Sequence, residues 1–433
     1  MELNNSKLTA DKITVKSGSN GTITINELNG LNITQDNLKN LITSSASVKI
    51  LYKENASDSI RLALSKSITD KYNQTISLPT YFNTTSNSYK VNYDDFIGDI
   101  GITLTNNADT ITFGVISVRD TLAATNQYTP SASDEQNYRY FILRDNITYS
   151  VTENTGTTGN VGIMYVQGGN NSIIDYQNTY SGFDVQAGAI LDISNIQFRN
   201  AISNSKGGII NNSGIVGATT ISGINNSSFV NNSAIMGGAI YNIGTIYSIA
   251  NTNFTENIVT SSRESTYGGA IYNTGTIGRI ENVTFTKNKA VSSQYAYGGA
   301  IYNTGNIEYI SASFIGNYTM GTNVFGGAIY SSNNLKLIAN NQDFMFKDNY
   351  TQSTSTGSIE DNAIYMSSYQ SILTIEANNG GSWTLYDSIN GARGYTVTLL
   401  STEGRGTINL YNQIYNANVV TNNINLNLSG DNW

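Results

Sequence analysis

The sequence contains no cysteine and no histidine, and only 2 of its 433 residues are proline. Without cysteine, neither disulfides nor thiolate metal sites can form, so the redox compartment places no constraint on the chain. Without histidine, the commonest transition-metal ligand and the commonest general base are both missing. We therefore expect a protein that is not an enzyme, with no catalytic residues, no cofactor and no bound metal.

Charged residues are also scarce. They make up 12% of the chain, which has a net charge of −8 and a pI near 4.7. An acidic chain without clustered Lys and Arg is a poor partner for nucleic acid or for an anionic membrane surface. No apolar run approaches 18 residues, so we expect no transmembrane helix and no direct membrane insertion. Residues 1–7 lack the charged-then-apolar run of a secretory signal, which predicts a cytosolic chain or an export signal outside the given sequence.

Two short motifs recur in the same order along the chain. The tetrapeptide Gly-Gly-Ala-Ile, with Ile in place of Ala in its first copy, recurs every 28 to 31 residues and starts at Gly207, Gly237, Gly268, Gly298 and Gly326. A Phe-x-x-Asn motif follows each of these copies, at Phe229, Phe254, Phe285, Phe314 and Phe346. Two signals in one order at a near-constant period indicate a repeat protein.

A repeat of about 30 residues, built of short strands, cannot bury its apolar face alone. Stacking the copies as parallel strands solves this, and the handedness rule for parallel connections predicts a right-handed parallel β-helix over residues 86–433, clearest over 207–365. Residues 1–85 are predicted to form a small mixed α/β module, or a cap over the open end of the solenoid, because apolar residues in 36–42 and 57–72 have helical spacing.

Equivalent residues of successive copies should lie on top of one another. The predicted interior contains an isoleucine stack, a phenylalanine stack and an asparagine ladder at Asn232, Asn257, Asn288, Asn317 and Asn349, in which each Asn takes the left-handed conformation and donates its amide to the next coil's carbonyl. The glycine pair is predicted to form a sharp corner. A degenerate copy is predicted at Gly188-Ala189-Ile190-Leu191. All of these positions are interpreted as scaffold.

The candidate binding residues are the tyrosines that follow the last four copies of the tetrapeptide, together with the tyrosine that follows the related Asn362-Ala363-Ile364. Strand alternation beside an inward Ile predicts an exposed column that would suit sugars or protein partners, formed by Tyr241, Tyr272, Tyr302, Tyr330 and Tyr365. The alternative is that these tyrosines point inward and neighbour the motif's Ala in the core. Loops at 260–267, 291–297 and 351–358 differ between copies and are further candidates for specificity.

The alternation of Gly-Gly-Ala-Ile with Phe-x-x-Asn resembles the passenger domains of polymorphic outer-membrane proteins and related autotransporter adhesins. The resemblance is specific over 207–349, weaker over 188–206 and 350–430, and absent before about residue 85. It implies a β-helix at the cell surface, attached to the outer membrane or secreted, that binds a cell-surface protein or glycan on a host or neighbouring cell. The family's signal peptide and C-terminal membrane barrel are not found in the given sequence.

Two other functions remain open from the sequence. Some β-helices cleave polysaccharides with converging carboxylates, and the candidates here are Asp175, Asp184 and Asp192 with Arg144 and Arg199 nearby. Their spacings of 9 and 8 residues are too short for one coil step, so they need not stack. The other possibility is a structural fibre that self-associates through the open ends of the solenoid.

Overall fold

The structure is a computed structural model. It describes residues 148–158, 163–217 and 223–429, together with strand segments and a few neighbouring residues between positions 2 and 146. The chain separates into two compact units, one formed by residues 1–149 and 161–172 and the other by residues 150–160 and 173–433. The described residues are almost entirely strands and turns, so the predicted all-β class is confirmed.

The first unit contains antiparallel as well as parallel strand pairs. Asp99–Asn107 pairs antiparallel with both Asn87–Tyr93 and Thr110–Val115, whereas Tyr138–Leu143 runs parallel to Asn87–Tyr93. The other described strands are Glu2–Asn4, Lys7–Thr9, Ile13–Val15, Gly21–Ile25, Ser47–Lys53, Ile60–Leu64, Ser67–Thr69 and Thr75–Ser77. Thr148–Ser150 and Ile163–Asp175 have residues in both units.

The helix predicted over residues 57–72 is wrong. This segment contains the strands Ile60–Leu64 and Ser67–Thr69, and the first of them pairs parallel with Gly21–Ile25. Apolar residues at i and i+4 also fit the even spacing of a strand, so the pattern did not distinguish the two structures. The helix predicted at 36–42 lies outside the described residues, and the boundary at residue 85 stays a prediction.

The second unit is a parallel β-helix, as predicted. Each coil contributes a three-residue strand to a nine-stranded parallel sheet, which we call sheet A. Its strands are Gly156–Thr158, Phe183–Val185, Ile210–Asn212, Ile240–Asn242, Ile271–Asn273, Ile301–Asn303, Ile329–Ser331, Ile364–Met366 and Ile389–Gly391.

The second and longest face of the coils is sheet B. Its strands in this unit are Ile190–Arg199, Ile215–Val216, Ile224–Asn225, Ser228–Val230, Thr245–Ile246, Ile249–Ala250, Asn253–Thr255, Thr276–Thr286, Asn306–Ile315, Leu335–Asn340, Asp343–Lys347, Ile372–Asn378, Ser382–Leu385, Tyr395–Leu400, Thr407–Leu410, Ala417–Asn422 and Asn425–Leu428. Sheet C contains Ser233–Ala234, Ile258–Ser261, Lys289–Ser292, Tyr318–Gly321, Tyr350–Ser353 and the antiparallel Ile359–Asp361. Sheet D contains Thr266–Tyr267, Tyr295–Tyr297 and Asn323–Phe325.

The predicted interior stacks are confirmed. The motif isoleucines pair in register on sheet A and are fully buried at Ile240, Ile271, Ile301, Ile329 and Ile364. The phenylalanine rings stack with centroids 4.8 to 4.9 Å apart from Phe229 to Phe346. Each such buried side chain contributes about 1.5 to 3 kcal/mol of hydrophobic stabilisation, so the repeat builds its core one coil at a time.

The asparagine ladder is also confirmed, but its predicted geometry needs correction. The backbone N–H and the Nδ2 of Asn257 both donate to Oδ1 of Asn288 in the next coil, while the same Nδ2 donates to the carbonyl of Phe229 in the preceding coil. The left-handed conformation belongs to the residue before each ladder Asn, for example Glu256 at φ 56° and Lys287 at φ 53°. This left-handed residue turns the chain so that the side chain of the following Asn points into the coil.

The ladder ends on a carboxylate that the sequence pattern did not reveal. Both the N–H and the Nδ2 of Asn349 donate to Oδ2 of Asp387, at 3.0 and 2.7 Å. Each ladder Asn donates its Nδ2 to the Oδ1 of the Asn in the next coil. The last Asn therefore needs only an acceptor in the coil beyond it, and a carboxylate supplies one. Burial raises the pKa of Asp387 to about 6, against the opposing effect of the Asn349 hydrogen bonds.

We expect Asp387→Asn to stabilise the protein at pH 8 and to change little at pH 4. Because the folded-state pKa of Asp387 lies above its unfolded value, its contribution is fully present below about pH 4 and is lost as pH rises through 6. Asparagine keeps the accepting oxygen without the charge, so the gain at pH 8 should be roughly 1 to 3 kcal/mol. Urea unfolding at both pH values measures it, and an equal effect at both would contradict this assignment.

A second buried ladder runs beside the tyrosine column. Asn212, Asn242 and Asn273 each donate Nδ2 to Oδ1 of the next member, at 2.7 to 2.8 Å, and Asn303 ends the series on Oγ of Ser331. The repeated Ile-Tyr-Asn carries the signal for this ladder in the sequence. Both ladders satisfy buried polar groups between coils and so belong to the scaffold.

The predicted degenerate copy at residues 188–191 is in the wrong register. Ile190 pairs with Ile215 on sheet B, whereas the residue that pairs with Ile210 on sheet A is Phe183. Gly188-Ala189-Ile190 resembles the motif in sequence, but it does not form the glycine corner that precedes a strand of sheet A. Phe198 does join the phenylalanine stack, with its ring 5.4 Å from that of Phe229.

Candidate binding surface

The motif tyrosines lie on the outer face of sheet A. In Ile271–Asn273 the two end residues are buried and the central Tyr272 is half-buried, and the same pattern holds in the next coil. Tyr241 is the most covered member, with 6% of its surface exposed. Strand alternation therefore directs the column outward, and the alternative of an inward column is not what the structure shows.

The five rings of the column stack face to face along the coil axis. Ring centroids are 4.7 Å apart from Tyr241 to Tyr272, 5.0 and 5.1 Å at the next two steps, and 6.0 Å from Tyr330 to Tyr365. The rings are within 14° of parallel. Each internal ring covers the faces of its neighbours. The column therefore exposes ring edges and hydroxyl groups to a binding partner.

A second aromatic row, which the sequence interpretation missed, lies beside the column on sheet D. Its members Tyr267, Tyr297 and Phe325 each stand immediately before a glycine pair, and they stack at 5.3 Å. The rows meet edge to face, with Tyr267 4.9 Å from Tyr302 and Tyr297 5.0 Å from Tyr330. Two of the variable loops predicted as specificity elements, 260–267 and 291–297, end in this row.

We call the two rows together the aromatic face. It comprises Tyr241, Tyr272, Tyr302, Tyr330, Tyr365, Tyr267, Tyr297 and Phe325. Burial and the neighbouring phenols raise the pKa of Tyr297 to about 12 and also raise that of Tyr302, so these hydroxyls stay neutral at physiological pH. Lys206 lies over Tyr241 at one end of the face, with its Nζ 4.5 Å from the ring centroid.

The acidic residues considered for catalysis have separate structural partners. Asp175 accepts hydrogen bonds from the Gln177 N–H and from Asn200, and forms a 2.8 Å ion pair with Arg199. Although partial burial opposes it, these contacts hold the pKa of Asp175 below its usual value. No hydrogen bond or ion pair joins any two of the candidate aspartates within the described residues.

The remaining two aspartates also accept hydrogen bonds from the neighbouring coil. Asp184 accepts from Nδ2 of Asn211 in the next coil, at 2.8 Å. Asp192 is buried, accepts the Gly223 N–H at 2.8 Å, and has a pKa raised to about 6 by burial. Arg144 lies outside the described residues. Among the four described candidates, the structure pairs only Asp175 with Arg199 and gives Asp184 and Asp192 separate partners.

In the described part of the chain, no group of three or more acidic, histidine or cysteine side chains is placed to hold a metal ion. The same residues include no helix with the length and apolarity needed to cross a membrane.

Comparison with known proteins gives one match. Residues 282–304 match the model of the Chlamydia polymorphic membrane protein repeat. This stretch is therefore similar to one polymorphic membrane protein repeat. The matched segment contains Phe285 and Asn288 as well as the motif from Gly298 to Tyr302, so it includes one member of each stack described above. No curated protein and no solved structure is significantly similar to the chain.

The polymorphic membrane protein repeat and the β-helix together fit the passenger of a polymorphic outer-membrane protein or autotransporter. Proteins of that family are associated with the outer membrane and the cell surface and are not enzymes. The fold and the repeat therefore suggest an autotransporter-like passenger at the cell surface.

Proposed function

We propose that this chain is a non-enzymatic adhesin that binds a protein on a host or neighbouring cell through the aromatic face. The observation that carries the proposal is the arrangement of that face, in which two rows of stacked rings, half-buried except for the buried Tyr241, stand outward from the coils. Internal stacks such as Phe254 on Phe285 already bury the coil's apolar interior.

The face has the physical character of a protein-binding surface. Tyrosine is enriched at energetically dominant interface positions because its ring supplies apolar area at low entropic cost while its hydroxyl forms hydrogen bonds. Here each ring is also held by its stacked neighbours, as Tyr302 is between Tyr272 and Tyr330. A surface rigid before binding loses less conformational entropy when a partner docks.

The stacking favours a protein ligand over a glycan on this face. An internal tyrosine such as Tyr302 has both ring faces covered, by rings 5.0 and 5.1 Å away, so a sugar cannot lie flat on it. The exposed edges and neutral hydroxyls suit the apolar and hydrogen-bonding groups of a polypeptide. Lys206, whose Nζ lies over the Tyr241 ring, adds a positive charge at one end of the face.

The proposal predicts that the double variant Tyr297→Thr and Tyr302→Thr binds cells at least tenfold more weakly than the unchanged chain. Threonine keeps strand propensity while it removes one ring from each row. Binding of the fluorescently labelled protein to cultured epithelial cells is measured by flow cytometry, and circular dichroism confirms folding. Tyr302→Phe, which keeps the stack and removes one hydroxyl, should lose less affinity.

The matched control is the double variant Tyr369→Thr and Tyr411→Thr, which alters exposed tyrosines outside the aromatic face. It should bind as the unchanged chain does. Treating the cells with protease should abolish binding, whereas removing their glycans should not. Undiminished binding by the folded Tyr297/Tyr302 variant would refute the role of the aromatic face, and protease-resistant binding would refute the protein ligand.

A further inference from the structure

A cleft of about 400 Å³ opens on sheet B, the sheet that does not carry the aromatic face. One side is lined by Glu281, Tyr309 and Ser311, which belong to two successive coils, and the other by Ile338 and the residues from Asn340 to Gln342 in the coil that follows. Small-molecule sites occupy about 300 to 1,000 Å³, so the cleft has room for a small ligand.

The cleft arises from a change in coil length. Ile310 pairs with Leu337 and Phe314 with Phe346, so the four-residue interval from Ile310 to Phe314 faces a nine-residue interval in the next coil. The five extra residues stand out from the sheet as a ledge that turns at Asn341, where φ is 52°. The start of the ledge is paired with the following coil, in which Asn378 lies opposite Asn340. The ledge is therefore packed against a neighbouring coil.

The cleft presents a single aromatic ring, Tyr309, beside the half-exposed carboxylate of Glu281. Tyr309 stacks on no other ring among the described residues, unlike the motif tyrosines. Arg279, on the neighbouring coil, donates its Nε to Oγ of Ser248 at 3.0 Å and lies 3.5 Å from Oε2 of Glu281. The guanidinium thus lies next to the Glu281 carboxylate at this end of the cleft.

The ledge supplies side-chain amide groups that have no hydrogen-bond partner among the described residues. The side chains of Asn341 and Gln342 form no hydrogen bond with any described residue, while the Asn340 oxygen is already occupied by Nδ2 of Asn379 at 2.8 Å. Each free amide offers both donors and an acceptor. Ile338 is the one aliphatic residue of the lining, which leaves little to hold a purely apolar ligand.

We propose that this cleft binds one or two pyranose units of an uncharged glycan. Sugar hydroxyls donate and accept at the same time, which matches a carboxylate and two free amides, and the apolar face of a pyranose ring matches an unstacked tyrosine. Glu281 disfavours acidic sugars by like-charge repulsion. This site is separate from the aromatic face and does not depend on the proposed adhesion to a protein.

The test uses the full chain with soluble disaccharides as probes. Saturation-transfer NMR is recorded with lactose, cellobiose and diacetylchitobiose, and with sialyllactose as the acidic comparison. At least one neutral probe should show transfer, and titration calorimetry with that probe should show at least tenfold weaker binding for Tyr309→Ala and several-fold weaker binding for Gln342→Ala. The Tyr297→Thr and Tyr302→Thr variant should bind the sugar unchanged.

Gln342 is exposed and its side chain forms no hydrogen bond with a described residue, so Gln342→Ala keeps the fold even if Tyr309→Ala does not. Absence of transfer from all three neutral probes would overturn the proposal. Undiminished binding by folded Tyr309→Ala and Gln342→Ala, or a preference for sialyllactose, would do so equally. Because the probes are soluble sugars, the outcome is independent of whether the chain adheres to cells.

Discussion

Gly269→Ala is expected to prevent the coils from stacking and to lower the free energy of unfolding by about 5 kcal/mol or more, or to abolish soluble expression. A Cβ at this position would lie 2.1 Å from the carbonyl oxygen of Gly299 in the next coil and 2.5 Å from the nitrogen of Lys289. Both contacts are with backbone atoms, so no side-chain rotation relieves them. The coils would have to separate, which would break the ladders on either side.

The control for this substitution is Gly357→Ala. Gly357 has φ +73°, and an added Cβ would meet nothing within 4 Å, so only the strain of the left-handed conformation remains. That strain costs about 1 kcal/mol. Soluble yield and urea midpoints of the two variants measure the difference, and equal destabilisation would show that the close approach of the coils is not what requires glycine.

Asn288→Ala is expected to destabilise the β-helix by about 3 to 5 kcal/mol, because it leaves several buried groups without partners. The N–H and Nδ2 of Asn257 lose their acceptor, and the Phe254 carbonyl and Oδ1 of Asn317 lose donors. All of these groups lie inside the coil, where water cannot replace them.

The matched control is Asn323→Ala, which removes an exposed asparagine whose side chain forms no hydrogen bond with the described residues. Its effect should lie within about 0.5 kcal/mol. The midpoints of urea unfolding compare the two variants. If Asn288→Ala unfolds at the same urea concentration as Asn323→Ala, the ladder does not hold the coils together.

The repeated positions could be predicted because equivalent residues of successive copies lie next to one another when the copies stack. Once the copies are in register, Phe254 must lie on Phe285 and Asn257 must lie on Asn288. Strand alternation predicted an outward Tyr272 as one of two alternatives, and the structure shows that the outward one applies. These inferences need no knowledge of distant contacts, which is why the interior and the tyrosine column agree with the sequence.

The features that the sequence did not reveal are those that break the repeat. Asp387 takes the place of a ladder asparagine, and it follows Leu385, the residue that pairs with Phe346, by two positions where each ladder Asn follows its Phe by three. Neither residue type nor spacing therefore marks Asp387 as the last ladder member. Tyr267 and Tyr297 precede only some of the glycine pairs, too few to form a period. The ledge at Asn340 to Gln342 is visible only when Phe314 and Phe346 are known to pair, because an insertion has no motif of its own.

The two kinds of feature have different functions. Repeated residues that point inward, such as Ile271, hold one coil to the next and are buried. The residues that can contact a partner lie outside, whether they recur in several coils, as in the tyrosine column, or belong to a single coil, as in the ledge. We therefore propose that binding specificity lies in the aromatic face and the cleft beside Tyr309, and not in the interior of the repeat.

The most direct test of this account is hydroxyl-radical footprinting of the unmodified chain, free and bound to cells, with oxidation followed at single tyrosines by mass spectrometry. Tyr295, which stacks beside Tyr297 at the margin of the aromatic face, is 42% exposed, and Tyr411, far along the chain, is 47% exposed, so the two start from similar accessibility. The account predicts that binding protects Tyr295 and Tyr297 and leaves Tyr411 unchanged. Equal oxidation of Tyr295 in both states, or protection confined to Tyr411, would contradict it.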